Sequence, residues 1–121
     1  MAESTPGARI ALPVSVSREA ERIAAAHGVE VEWTKLSPAH LMEVASEGGV
    51  VLAASLEQGY IWPEFLPAYD ATATLVRTLD LLARTGRGLA EVVGRQARVH
   101  VRREVVPVPW DRKGAVMREM V

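Results

Sequence analysis

The alternation of strand-like and helix-like segments in the first half of the chain constrains the fold most. Runs rich in apolar and β-branched residues at 9–16 and 50–54, and an apolar–polar alternation at 29–36, predict three strands. The segments between them carry apolar residues at helical spacing and end in glycine, so each predicts a helix. Because a crossover joins strands in a strand–helix–strand order, we expect the three strands to run parallel.

A long helix is predicted in the second half of the chain. It begins at Asp70, a residue type that caps helices well, and ends at Arg84 before Gly86. Leucines at helical spacing mark the face that is expected to be buried. They are Leu75, Leu79 and Leu82.

A fourth strand is predicted at 99–106, after a short helix at 88–93, because the sequence there returns to the period of a strand. We expect this strand to run antiparallel to the others. The sequence thus predicts an α/β fold, a three-layer sandwich in which a four-stranded mixed sheet lies between helices. With 121 residues, the chain has the length for one core and therefore one domain, placed at 9–110. Residues 1–8 are expected to be a disordered leader or an expression remnant.

The composition excludes several kinds of site. Without cysteine, the chain cannot form disulfides or thiolate metal sites. The histidines, His27, His40 and His100, fall on separate predicted elements, so no metal site is predicted. No apolar run approaches the ~20 residues that cross a bilayer, and the N-terminus lacks the pattern of a signal peptide. We therefore expect a cytoplasmic protein without a membrane partner.

Charge is distributed unevenly along the chain. Residues 1–70 contain ten acidic and four basic residues, whereas residues 71–121 contain five acidic and ten basic residues. The basic half either faces an anion, such as a phosphate or a nucleic acid, or forms one solvated face of a single folded unit. Trp110 is its only aromatic residue, whereas single-strand binders interleave several aromatic residues with their basic residues, so no nucleic-acid partner is predicted.

A polar loop at 55–59 follows the predicted central strand. In open α/β sheets, ligands bind beyond the carboxyl ends of the strands, which is where this loop falls. Glu57 and Gln58 offer acceptors and donors for sugar hydroxyls, and Gly59 lets the backbone approach a ligand closely. The alternative is an ordinary β-turn with exposed polar residues.

An aromatic cluster follows directly after this loop. It consists of Tyr60, Trp62, Phe65 and Tyr69. Such a cluster serves either as a platform on which a sugar stacks or as core packing under the long helix. We favour the core.

Three segments carry a resemblance to a known family: GYIWPEF at 59–65, Asp70 at the start of the long helix, and PWDRKGAVMR at 109–118. The order of these segments along the chain resembles that in the α-D-phosphohexomutases. The chain is most similar to the phosphomannomutase-like half of proteins that also carry a mannose-1-phosphate guanylyltransferase domain. Family members have four domains, and this chain resembles the third, which reads sugar hydroxyls. Residues 111–121 then resemble the start of a truncated following domain.

The resemblance also implies which parts of the reaction lie outside this chain. In the family, the first domain supplies a phosphoserine, the second holds magnesium and the fourth clamps the substrate phosphate. The chain is therefore expected to be a sugar-recognition domain of GDP-mannose-type metabolism that is inactive alone. It would hold no catalytic residue, metal or cofactor, and Mg²⁺ would belong to the full-length parent.

The partners that the resemblance implies are a hexose phosphate, the neighbouring domains of the same chain and a second copy bound through exposed apolar surface. An alternative function is a degenerate mutase-like module with a regulatory or scaffolding role, attached to a nucleotidyltransferase.

The hydroxyl-reading loop of the family has the pattern Gly-Glu-x-Ser-Gly-His. Aligned on Gly59, only that glycine matches, because Leu56 stands at the glutamate position and Gln58 at the serine position. Glu57 lies one position after the place of the glutamate in the family pattern, and a shifted loop can still present its carboxylate to the sugar. Lys35 falls at a family loop that faces the active cleft, so it meets either a phosphate or solvent. The predicted substrate-binding residues are Ser55, Glu57, Gln58, Gly59 and Lys35.

Overall fold

Five strands form one mixed sheet in the computed structural model, which describes residues 7–95, 99–100, 102 and 104–120. The strands are β1 (Arg9–Pro13), β2 (Glu30–Thr34), β3 (Val50–Ser55), β4 (Gly59–Trp62) and β5 (Leu66–Tyr69). The helices are α1 (Glu19–Ala26), α2 (Pro38–Ala45), α3 (Ala71–Thr85), α4 (Leu89–Gly94) and α5 (Lys113–Glu119), and a 3₁₀ helix spans Trp110–Arg112. The strand order across the sheet is β2–β1–β3–β4–β5.

The parallel half of the sheet confirms the predicted alternation of strands and helices. β1 pairs parallel with β2 on one side and with β3 on the other. α1 packs against β2, where the Trp33 indole donates a 2.5 Å hydrogen bond to Glu21 and the Arg18 guanidinium lies 4.4 Å from the centre of the Trp33 ring. Ser37 caps α2, because its hydroxyl oxygen accepts a hydrogen bond from the His40 amide.

The antiparallel half of the sheet differs from the prediction. The chain turns back after β3, so that β4 pairs antiparallel with β3, and β5 pairs antiparallel with β4. The predicted count of four strands is therefore wrong. The free side of β3 is occupied by β4, which follows it in sequence after only a short turn. Of the strand predicted at 99–106, residues 99–100, 102 and 104–106 lie in no strand, and residues 101 and 103 lie outside the described part of the chain.

The core lies between α2 and one face of the sheet. Its buried apolar side chains come from β1, β3, β4 and α2, and they are Ala11, Leu41, Val44, Ala45, Val50, Ala53 and Ile61. Because side chains alternate between the two faces along a strand, the neighbours of Ile61 in β4, which are Tyr60 and Trp62, point to the opposite face. α3 packs against β4 there, so helices cover both faces of the sheet, as predicted.

The face of the long helix α3 that packs against the sheet is not the leucine face that the sequence predicts. The Trp62 indole of β4 donates a 3.2 Å hydrogen bond to the hydroxyl of Thr74, which places a threonine against the sheet. Leu75 and Leu79, expected to be buried, are consequently 59% and 56% exposed, and Leu82 is half-buried. The face of α3 that meets the sheet therefore carries Thr74, and most of the predicted leucine face lies in solvent.

The aromatic cluster is divided between the two faces of the sheet. Trp62 lies under α3 as expected, and the Arg77 guanidinium stacks 5.6 Å from the centre of its ring and 5.3 Å from that of Phe65. Phe65 and Tyr60 are exposed, and Tyr69 packs against the core on the α2 side. The expectation of one aromatic core under the long helix is therefore wrong, because the alternation along the strands separates these residues.

Replacing Asp70 by alanine is expected to destabilise the domain by about 1 kcal/mol. The Asp70 carboxylate accepts a 2.9 Å hydrogen bond from the Ala73 amide and so caps α3. Urea unfolding followed by circular dichroism measures the difference. Asp80→Ala in the same helix is the control, since it removes an exposed ion pair with Arg84 that is worth at most about 0.5 kcal/mol. Equal losses in the two variants would contradict the capping role.

Candidate functional site

The carboxyl ends of the three parallel strands meet at one edge of the sheet. β1 ends at Pro13, β2 at Thr34 and β3 at Ser55, and the Val14 amide donates a 3.0 Å hydrogen bond to the Thr34 carbonyl, which ties two of these ends together. A cavity of about 290 Å³ lies at this edge, lined by residues that follow each strand. Its polar lining consists of Ser15, Ser37, Ser55, Glu57, Gln58 and Tyr69.

One wall of the cavity is the turn between β3 and β4. Ser55 pairs with Gly59 across the hairpin, so that Leu56, Glu57 and Gln58 form the turn itself. The Glu57 amide donates a 3.2 Å hydrogen bond to the Ser55 hydroxyl oxygen, which holds the start of the turn. Gly59 closes the turn with a φ of +103°, a conformation that residues with a side chain rarely adopt.

The opposite wall is the start of α2 together with the residues after β1. Ser37, the residue that caps α2, and Pro38 line the cavity, and Ser15 lies beside them. Leu41 forms part of the cavity lining and is also a fully buried residue of the core, with 1% of its surface exposed. The packed core therefore forms part of the cavity wall, and it holds the hydroxyl groups of the cavity lining in place.

Tyr69 also lines the cavity, and its hydroxyl oxygen is buried. Burial raises the pKa of this phenol above its usual value of 10.0, and the nearby Ser55 side chain lowers the pKa by a smaller amount. Ser55 does not reach hydrogen-bond geometry with it, and no other described residue does. The phenol is therefore protonated at neutral pH and can both donate and accept a hydrogen bond.

The structure brings together three of the five predicted binding residues. Ser55, Glu57 and Gln58 all line the cavity, whereas Gly59 closes the turn and lines an adjoining groove. Lys35 is exposed directly after β2 and does not belong to the cavity lining.

Sequence reasoning missed Ser15, Ser37 and Tyr69 as cavity residues. The signal for the two serines was present, because each lies within three residues of the end of a predicted parallel strand. Tyr69 was predicted as part of the aromatic cluster, for which core packing was favoured over a platform on which a sugar stacks.

The cavity offers hydrogen-bonding groups and few charges. Among the described residues that line it, Glu57 is the one that carries a charge at neutral pH, and none is lysine, arginine or histidine. No group of three or more histidine, aspartate or glutamate side chains in the described part of the chain is placed to hold a metal ion. Such a lining suits neutral hydroxyl groups, which both donate and accept hydrogen bonds. Within the described ranges, no helix has the length and apolar character needed to cross a membrane.

Comparison with protein families identifies the class of domain. Residues 1–99 match the family model described as phosphoglucomutase/phosphomannomutase, alpha/beta/alpha domain III. The chain belongs to this family, as the third domain of an α-D-phosphohexomutase, which confirms that part of the resemblance. The likeness to proteins that also carry a guanylyltransferase domain stays a prediction. Neither the curated proteins nor the solved structures contain a match to this chain.

Replacing Gly59 by alanine is expected to lower the free energy of unfolding by about 1–3 kcal/mol, because its φ is positive. A Cβ atom at this position would meet no atom within 4 Å, so the cost comes from the backbone and not from a clash. Chemical unfolding of the purified variant measures it.

Gly48→Ala is the matched control for this substitution. A Cβ atom there also meets nothing within 4 Å, but the backbone of Gly48 is not in the positive-φ region. We expect this variant to be neutral or slightly more stable than the wild type. A similar loss of unfolding free energy at both positions would contradict the role assigned to the positive φ of Gly59.

Proposed function

We propose that this chain is the sugar-recognition domain of a phosphohexomutase-type protein and binds the hydroxyl groups of a hexose phosphate. The observation that carries the proposal is the convergence of Ser55, Glu57 and Gln58 with the other hydroxyl groups of the cavity at the carboxyl edge of the sheet. Ligands of open α/β sheets bind at this edge. The volume of about 290 Å³ suits a small ligand, since typical ligand pockets begin at about 300 Å³.

In this proposal, the turn after β3 and the serines of the cavity share the recognition of the sugar. The Glu57 carboxylate accepts hydrogen bonds from sugar hydroxyls, and the Gln58 amide both donates and accepts them. Ser15 and Ser37 bind from the opposite wall. Ser55 lies at the end of β3 and Ser37 caps α2, so these two hydroxyl groups are held in place before the ligand arrives, which lowers the entropic cost of binding.

The phosphoryl-transfer chemistry is proposed to lie outside this chain. Mutase chemistry requires a phosphoryl donor, a metal ion and a phosphate clamp held around one cleft. In the family, other domains supply these groups, with Mg²⁺ in the second domain. We propose the same division here, in a parent protein of GDP-mannose-type metabolism, so that this domain alone does not interconvert hexose phosphates.

The second candidate function is a mutase-like module that no longer binds sugar and acts as a regulatory or scaffolding part of a nucleotidyltransferase. The observation that favours it is Leu56, which stands where the family pattern has a glutamate and is 65% exposed on the turn. An exposed leucine cannot hydrogen-bond a sugar hydroxyl, but it can contact a protein surface.

Titration with mannose 1-phosphate and with glucose 1-phosphate, followed by ¹H–¹⁵N NMR, distinguishes the two functions. Sugar recognition predicts chemical-shift changes centred on residues 55–60. Absence of changes there with both ligands would favour the second function.

Substitution of Glu57 by glutamine tests whether its carboxylate binds the sugar. The substitution keeps the shape of the side chain but replaces a charged acceptor by a neutral one, so we expect affinity to fall about fivefold. Glu43→Gln is the matched control, because Glu43 is exposed on α2 and lies outside the cavity lining. Equal affinity in the wild type and the Glu57→Gln variant would contradict recognition through this carboxylate.

The purified chain is expected to produce no hexose 6-phosphate from mannose 1-phosphate in the presence of Mg²⁺. Phosphorus NMR over several hours measures conversion, with an intact phosphomannomutase as the positive control. Formation of the 6-phosphate by this chain would overturn the proposed division of chemistry between domains.

A further inference from the structure

The side chain of Tyr69 contains a buried polar group that the fold does not use. Its ring packs against the core, whereas its hydroxyl oxygen is buried at the wall of the cavity without a hydrogen-bond partner among the described residues. A buried hydroxyl without a partner costs free energy relative to an apolar group of the same shape. Phenylalanine would fill the same space in the core, so packing alone gives no reason for a tyrosine here.

The position of this hydroxyl connects it to the proposed binding site. Tyr69 and Ser55 line the same cavity, and the Ser55 side chain is close enough to the phenol to influence its ionisation. The hydroxyl oxygen of Ser55 also accepts the hydrogen bond of the Glu57 amide. Tyr69 is therefore linked, through Ser55, to the turn that is proposed to contact the sugar.

We propose that Tyr69 is a specificity-determining residue whose hydroxyl forms a hydrogen bond with a hydroxyl group of a polyol ligand in this cavity. This inference rests on the proposed function and names a residue that the family's hydroxyl-reading pattern does not contain. Because the phenol oxygen is buried in the structure, the proposal requires a local movement of the cavity wall when the ligand binds.

The chemistry of the cavity selects a polyol and not a phosphate as the group that meets Tyr69. A protonated phenol donates one hydrogen bond and accepts others, which matches a sugar hydroxyl. Basic side chains form the strongest hydrogen bonds with phosphate, and the described residues that line the cavity include none. In this proposal the phosphate of a bound hexose phosphate therefore lies outside the cavity.

The test compares the variants Tyr69→Phe and Tyr60→Phe, which replace the two tyrosines of the chain. Tyr60 is exposed, does not line this cavity and points to the other face of the sheet, so its variant is the matched control. Affinities for mannose 1-phosphate and glucose 1-phosphate are measured by NMR titration, and melting temperatures by circular dichroism. Inorganic phosphate is titrated separately as a probe without sugar hydroxyls.

We expect Tyr69→Phe to weaken binding of the hexose phosphate about two- to tenfold, the effect of one neutral hydrogen bond, and Tyr60→Phe to leave it unchanged. The melting temperature of Tyr69→Phe should equal or exceed that of the wild type, because the lost hydroxyl has no hydrogen-bond partner among the described residues. Inorganic phosphate should cause no shifts at residues 55–60.

Two results would overturn the role of Tyr69 while leaving the proposed function intact. One is unchanged affinity of Tyr69→Phe for a hexose phosphate that the wild type binds. The other is a lower melting temperature of this variant, which would show that the hydroxyl has a structural partner. Shifts with inorganic phosphate at the turn would overturn the assignment of a polyol. Absence of hexose phosphate binding by the wild type would instead overturn the proposed function, and with it this role.

Discussion

The parallel pairing of β1 with both β2 and β3 is the constraint on which the rest of the structure depends. Parallel strands end at the same edge of a sheet, so this pairing brings together segments that lie far apart in sequence. The residues after each strand then form the cavity, although none of these short segments would form a site alone. The position of the candidate site therefore follows from the parallel pairing of these strands.

The helix α2 couples the stability of the domain to the geometry of the cavity. Its buried residues, Leu41 among them, fill the core against three strands, and Ser37 and Leu41 form part of the cavity lining. A change in core packing would therefore move the binding groups as well. Tyr69 has the same double position, since its ring packs against the core and its hydroxyl lies at the cavity wall.

The first half of the fold could be predicted from the sequence because its signals are local. Strand periodicity and the cap of α3 depend on residues a few positions apart, and Asp70 acts as predicted. The pairing of β3, β4 and β5 is also local, but Pro63 and Pro67 interrupt the strand period there, and neither β4 nor β5 was counted as a strand. The face that α3 turns to the sheet is not a local property, since it depends on contacts with β4 such as that between Trp62 and Thr74.

The candidate site was predicted only in part, for a related reason. The turn at 55–59 follows its strand directly and could be identified, whereas the contribution of Tyr69 requires β5 to lie beside β4. Lys35 was predicted from its correspondence to a family loop that faces the active cleft. It is exposed after β2 and outside the cavity lining, and its contact with a phosphate stays a prediction.

The short strand β5 has a consequence for how the domain behaves at high concentration. In the described part of the chain, β5 forms one edge of the sheet, and edge strands can pair with strands of other molecules. Pro67 in the middle of β5 has no amide hydrogen to donate. At the other edge, β2 begins with the exposed Glu30, and charged residues on an edge strand disfavour its pairing with another molecule. Both edges thus resist the edge-to-edge aggregation to which open sheets are prone.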